Sequence, residues 1–236
     1  MGAGLSAEAR APRTRPKEPP FAAAEREAVI ISFARAEGVQ PRETRLRGLS
    51  PRKRAFDLVV AGAALTVLLP PLILTWSAVR LTSKGPGLHW SKRIGRGGRE
   101  FWMPKFRTMH HGAPSTSREL LVNAKEHITP LGAVLRRWSL DELPQLICIL
   151  KGDMSFVGPR PLLPDDPAQI ARNGFPDALA VRPGLSGLAQ VRGRNHVSPR
   201  RKARLDAFYA RVRSGPYDLE IFVRTFLVLA TGRGFM

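Results

Sequence analysis

The sequence predicts a mainly helical α/β chain with a membrane-seated hydrophobic segment, a small β-hairpin and amphipathic helices. Three observations carry that expectation. From Leu58 to Val79 no residue is charged, and prolines 70 and 71 interrupt the run. Two short apolar-aromatic stretches flank the Gly97-Gly98 pair, the pattern of a hairpin with strands near 87–94 and 100–106. The stretch 217–230, "YDLEIFVRTFLVLA", has the 3.6-residue spacing of an amphipathic helix.

In chain order, residues 1–20 are rich in Pro, Arg and Ala and have little to bury, so they are expected to be disordered. They lack the apolar core of a signal peptide, so export is not expected. Residues 21–37 are compatible with one amphipathic helix, and a linker follows. The domain plan is a basic extension over 1–48, a membrane segment over 49–82 and a catalytic domain over 83–236.

The Leu58–Val79 run is about 22 residues, long enough to span a bilayer as a straight helix. Each proline removes a backbone donor, and Pro71 pushes Pro70 away from helical geometry. Both flanks are basic: Arg52, Lys53 and Arg54 precede the run, and Arg80 and Lys84 follow it. Positive flanks favour the cytoplasmic side. A re-entrant hairpin, a kinked spanning helix and a buried soluble helix all fit these residues.

Beyond the hairpin, residues 118–127 and 129–137 read as helix or turn. "DELPQLICILKG" reads as a short helix ended by Gly152. "GPRPLLPDDP" is too proline-rich for regular structure, and "RPGLSGLAQVRGRN" reads as a glycine-punctuated loop. Residues 198–213 form a basic helix. The single cysteine, Cys148, lies in an apolar run and reads as a buried, inert thiol. Trp76 suits a membrane interface, and Trp90, Trp102 and Trp138 read as core.

The chain has 38 Lys and Arg against 19 Asp and Glu, a formal charge of +19. Such an excess is tolerated best by proteins that meet polyanions. A nucleic-acid-binding protein would explain the charge but not the uncharged hydrophobic run, so no nucleic-acid partner is expected. "SKRIGRGGRE" lacks the spacing of a phosphate-binding loop and reads as the hairpin turn.

The stretch "SLDELPQ", residues 139–145, sets two acids side by side in this basic chain. Ser139 and Glu142 match a capping box, which would explain them structurally. The chemical reading rests on cations elsewhere: Lys105, Arg107, Arg136, Arg160, Arg182 and Arg194. Adjacent carboxylates can hold Mg²⁺, which takes a few carboxylates plus substrate phosphates. An aspartate can also attack phosphorus while cations neutralise the transferring group. Both readings stand on these residues alone.

Taken together, six stretches in order resemble the bacterial sugar transferases, the monotopic phosphoglycosyl transferases that act on polyprenyl phosphate. They are "KRAFD" at 53–57, the proline-broken segment, "KFRTM" at 105–109, "LGAVLRRWSLDELPQL" at 131–146, "LKGDMSFVGPRPLL" at 150–163 and "VRPGLSGLAQVRGRN" at 181–195.

The resemblance implies transfer of a sugar 1-phosphate from a UDP-sugar to undecaprenyl phosphate, with release of UMP and Mg²⁺ as cofactor. It implies Asp141 as nucleophile, Glu142 as its metal-holding neighbour, and Lys105 and Arg136 as catalytic cations. It assigns substrate binding to Arg107, Pro159, Arg160, Pro161, Arg182 and Arg194. It makes Pro70 and Pro71 the break of a re-entrant helix at the bacterial inner membrane, with the site on the cytoplasmic face. Anionic lipids and another copy of the chain are the remaining expected partners. The chain departs from the family's pattern at Pro70, where Ser is common, at Leu188 for Trp, at Arg192 for Asn and in the more basic "HWSKRIG".

Overall fold

The computed structural model describes residues 32, 50–114, 116, 123, 126–192 and 197–230. The helix expected over 21–37, most of 118–127 and Arg194 lie outside them.

Helix α1, Pro51–Thr82, opens with Ser50 as N-cap and Pro51 in its first turn, where the missing N–H is harmless. It runs without interruption through Pro70 and Pro71. The expected break is therefore corrected to one continuous helix. Proline's fixed φ is already helical, so the path continues; the loss is the two donors that would have met the carbonyls of Thr66 and Val67. Asp57, Ala61, Leu72 and Val79 are buried along one face, and Val60, Ala64, Leu65 and Leu68 pack beside them. The opposite face exposes Val59, Val67, Ile73, Leu74 and Leu81. Among the described residues, α1 is the one helix long and apolar enough to cross a membrane.

Both ends of α1 are tied to the same folded body. At the N-terminal end, Lys53 Nζ pairs with Asp218 at 2.6 Å, and Arg54 donates to the carbonyls of Ile149 and Leu150 at 2.6 and 2.8 Å. Asp57 accepts from Ser155 Oγ and Phe156 N at 3.1 and 3.2 Å. At the C-terminal end, Arg107 Nη2 donates to the carbonyl and the hydroxyl of Ser83 at 2.8 and 2.7 Å.

The hairpin forms where expected. Strands β1, Leu88–Ile94, and β2, Glu100–Phe106, pair antiparallel, with His89 opposite Lys105 and Arg93 opposite Phe101. Gly97 and Gly98 take positive φ, 67° and 76°, which the turn requires. Helix α2, Pro130–Arg137, leads through a 3₁₀ turn, Leu140–Gln145, into α3, Leu146–Lys151, which ends at Gly152.

Strand β3, Ser155–Val157, pairs in parallel with β4, Gly184–Ser186, across a crossover containing α4, Pro167–Arg172. A Cβ on Gly184 would lie 2.1 Å from Gly158 N, so only glycine permits that approach. The segment read as loop thus contributes β4 and the short α5, Leu188–Val191. Helices α6, Pro199–Val212, and α7, Gly215–Ala230, complete the fold.

One core gathers around Phe156, whose ring meets Phe56 of α1 and Phe222 of α7 edge-on at 6.3 and 5.8 Å. A second core joins Leu72 and Val79 of α1 to Phe106 and Leu135. The dyad-bearing turn lies between these cores and the hairpin.

Three tryptophans expected in the core are not there. Trp90, Trp102 and Trp138 are about half exposed, as is Trp76. Half-exposure is the condition an amphipathic indole takes at a membrane–water boundary. Helix α7 likewise points Leu219, Val223 and Leu227 outward at four-residue spacing. Cys148 is buried as expected, and burial pushes its thiol up to about 11.

Candidate active site

Ser139 decides how the two acids are presented. It sits in the left-handed region, φ 55° and ψ 23°, and its side chain caps nothing. The capping box is therefore absent, and Glu142 is free to turn elsewhere. The left-handed residue bends the chain sharply from α2 into the 3₁₀ turn, placing Asp141 and Glu142 side by side over β2.

Glu142 is held by two cations. Lys105 Nζ from β2 and Arg160 Nη2 both donate to its Oε1, each at 2.8 Å. Burial works to raise Glu142, but Arg160 and Lys105 outweigh it and hold the carboxyl far below its ordinary value. Lys105 is pushed down by burial, against the pull of Glu142, while the Glu142 charge raises Arg160.

Asp141 differs. It is buried, and no described side chain or backbone N–H donates to its carboxyl. Burial raises it, with the charge of Glu142 adding to that; Lys105, Arg136 and Arg160 pull the other way without cancelling it. A carboxylate with little solvation, no hydrogen bond and cations around it retains its lone pairs for attack.

The cations are built in by the fold. Arg136 Nε donates to Thr108 Oγ1 at 2.7 Å, fixing it beside Asp141. Gly132 allows α2 to approach this close, since a Cβ there would lie 2.1 Å from Thr108 O. Arg160 stands between Pro159 and Pro161. Gly184 N donates to the Pro159 carbonyl at 2.8 Å, and buried Arg172 donates to the Arg160 carbonyl at 2.9 Å. Arg172 is itself paired with Asp206 at 2.6 Å, both fully buried.

Two expected substrate contacts lie elsewhere. Arg107 is buried against the C-terminal end of α1, its Nη2 spent on Ser83. β2 ends at Phe106, so the alternation that would carry Arg107 to the face of Lys105 stops first. Arg182 lies next to Arg54 beside Gly152, among the residues around the root of α1, and contributes no field at Asp141. Arg194 is outside the described residues.

Two groups went unnoticed in the sequence. Arg93 lies beside Arg160 and within the field of Glu142; burial, then Arg160, push it down to about 10. His89, opposite Lys105, is lowered by partial burial and by Arg93, Lys105 and Arg136. The alternation 89, 91, 93 on a strand opposite Lys105 was the available signal.

The donor set suits Mg²⁺. Asp141 offers unbonded oxygens, and Glu142 retains Oε2 while Oε1 takes both cations. Among the described residues no group of three or more His, Cys, Asp or Glu side chains could hold a metal by itself. A site of two carboxylates that leaves the remaining positions to substrate phosphates and water is the usual magnesium arrangement.

The chain is similar to known proteins. The model of the family described as bacterial sugar transferase matches residues 49–232. The exopolysaccharide production protein ExoY of Sinorhizobium fredii is 36% identical over 197 residues, covering 77% of this chain and 87% of the relative. The UDP-glucose:undecaprenyl-phosphate glucose-1-phosphate transferase of Caulobacter vibrioides is 40% identical over 188 residues, 76% of this chain and 70% of the relative. The undecaprenyl-phosphate galactose phosphotransferase of Salmonella typhimurium is 35% identical over 188 residues, 73% of this chain and 39% of the relative.

Proposed function

Because the chain belongs to the bacterial sugar transferase family, we propose that it transfers a sugar 1-phosphate from a UDP-sugar to a polyprenyl phosphate such as undecaprenyl phosphate. The relatives named for undecaprenyl-phosphate sugar phosphotransfer support this reading. The observation that carries the mechanism is the contrast within the dyad: Glu142 locked between Lys105 and Arg160, Asp141 unbonded.

In the first step an Asp141 oxygen attacks the β-phosphorus of the donor. The bond from that phosphorus to the bridging oxygen breaks, and UMP leaves with that oxygen. The sugar phosphate is then esterified to Asp141. In the second step an oxygen of the polyprenyl phosphate attacks the same phosphorus, and the Asp141–phosphorus bond breaks. The product is a polyprenyl diphosphate sugar, the opening intermediate of a surface polysaccharide. Lys105, Arg136 and Arg160 neutralise charge on the transferring group; Mg²⁺, when bound, adds to that neutralisation.

The acceptor's tail lies in the lipid and its phosphate at the interface, whereas the UDP-sugar is cytosolic. The site therefore belongs at the cytoplasmic surface of the inner membrane. The outward apolar faces of α1 and α7 and the half-exposed tryptophans support such a seat. Attachment of both ends of α1 to one folded body favours a helix seated in one leaflet over a spanning one. The basic excess suits anionic lipid as well as phosphate-bearing substrates.

The test is intact-mass spectrometry of protein quenched after mixing with a panel of UDP-hexoses and UDP-N-acetylhexosamines, Mg²⁺ present and acceptor absent. The wild type should gain one sugar phosphate and release one equivalent of UMP. Asp141→Asn should show neither, and its turnover should fall by at least about three orders of magnitude. Product formation by Asp141→Asn, or by wild type with no adduct, would remove Asp141 as nucleophile.

A further inference from the structure

Strand β1 brings an imidazole to the side of the hairpin from which Lys105 reaches Glu142. His89 faces Lys105 across the hairpin, and facing residues of an antiparallel pair project from the same side of the sheet. That side carries Lys105 to Glu142. Three permanent cations act on His89, Arg93 from its own strand, Lys105 from β2 and Arg136 from α2, with no carboxylate among them.

An exposed histidine is most often a solvated surface group. Here it shares Lys105 and Arg136 with Asp141 as neighbouring cations, with Arg93 beside them, and among these groups an imidazole is the one that changes charge near neutral pH. Partial burial and the neighbouring cations bias the imidazole towards its neutral form while the site is empty of anion. A phosphate of charge about −2 reverses the local field, and the neutral ring then gains a proton from solvent.

We propose that His89 is a further contact for the phosphate groups handled at the dyad, and that it binds them together with a proton. This rests on the transferase reading of the site. The proton enters with the anion, sits on the imidazole as an N–H donor to a phosphate oxygen, and returns to solvent when the anion leaves. Lysine and arginine hold the phosphate throughout the neutral range; His89 adds charge when an anion is there to offset it. Its contribution is greatest near and below neutral pH.

The experiment is calorimetric titration of the full chain in detergent micelles with UDP and Mg²⁺, in two non-phosphate buffers of different ionisation enthalpy. The difference in heat between buffers counts protons taken up. Wild type should take up a fraction of a proton at pH 7, and its affinity should weaken by up to about tenfold per pH unit through the linked range. His89→Gln should lose the uptake attributable to His89 and bind several-fold more weakly at pH 6.5. His89→Lys should retain affinity without that uptake. Unchanged uptake in His89→Gln and His89→Lys would overturn the inference while leaving the transferase reading intact. Wild type that binds no UDP would overturn both.

Discussion

Asp141 and Glu142 are neighbours in the chain and opposites in electrostatic condition, and Lys105 acts on both. Removing its charge in Lys105→Met frees one lone pair of Glu142 Oε1 and takes a cation from Asp141. UMP release should slow about 10²–10³-fold. The pH profile should move as well. In the proposed mechanism Asp141 attacks only when ionised, and burial already raises it above its ordinary value. Activity is therefore lost as pH falls through that raised value. Lys105 favours the ionised form, so its loss raises Asp141 further and shifts the acid limb to higher pH. A limb that stays put would mean another group titrates. At this scale the dyad, Lys105, Arg136 and Arg160 were legible, because each sits in a quoted motif. His89 and Arg93 were not, since their relevance depends on which strand faces which. Arg107 misled for a related reason: proximity to Lys105 in sequence says nothing once the strand ends between them.

At the level of elements, α1 is attached by a few specific bonds as well as by its buried stripe. Asp57 serves as acceptor for a buried backbone N–H and a buried hydroxyl of β3. Asp57→Ala should destabilise the protein by about 1–3 kcal/mol, seen as a lower Tm in detergent. Lys53→Ala, which breaks the partly exposed pair with Asp218, should cost under about 1 kcal/mol. Equal losses would contradict the ranking by burial. The long apolar helix and the hairpin were legible from their periodicity and glycines. The continuity through Pro70 and Pro71 was not, because local steric rules are weighed here against packing on both sides of the pair. The β3–β4 pair escaped notice because strands of three residues carry too few positions for an alternation to register.

For the molecule as a whole, charge and apolar surface act together. With +19 on the chain and four half-exposed tryptophans, binding to vesicles should have two components. Neutral phosphatidylcholine vesicles should blue-shift the tryptophan emission through apolar contact alone. Adding anionic lipid should strengthen binding in a way that about 0.5 M salt removes, since screening falls within a few ångströms there. Emission that does not move with either lipid would refute the interfacial seat of the indoles. Fold class was readable at this scale from composition and pattern, whereas the outward placement of Trp90, Trp102 and Trp138 was not. An indole is large and apolar enough to suggest a core, and only the neighbours reveal which side remains bare.

The bonds from both ends of α1 into one body have a practical corollary. A chain cut after Thr82 would lose Ala61 from the main core, the partners of Asp218 and Ser155, and the Val79 carbonyl that accepts from Arg107. A fragment that begins after α1 should therefore fail to fold on its own, so crystallisation and assay call for α1 and the candidate site in a single piece.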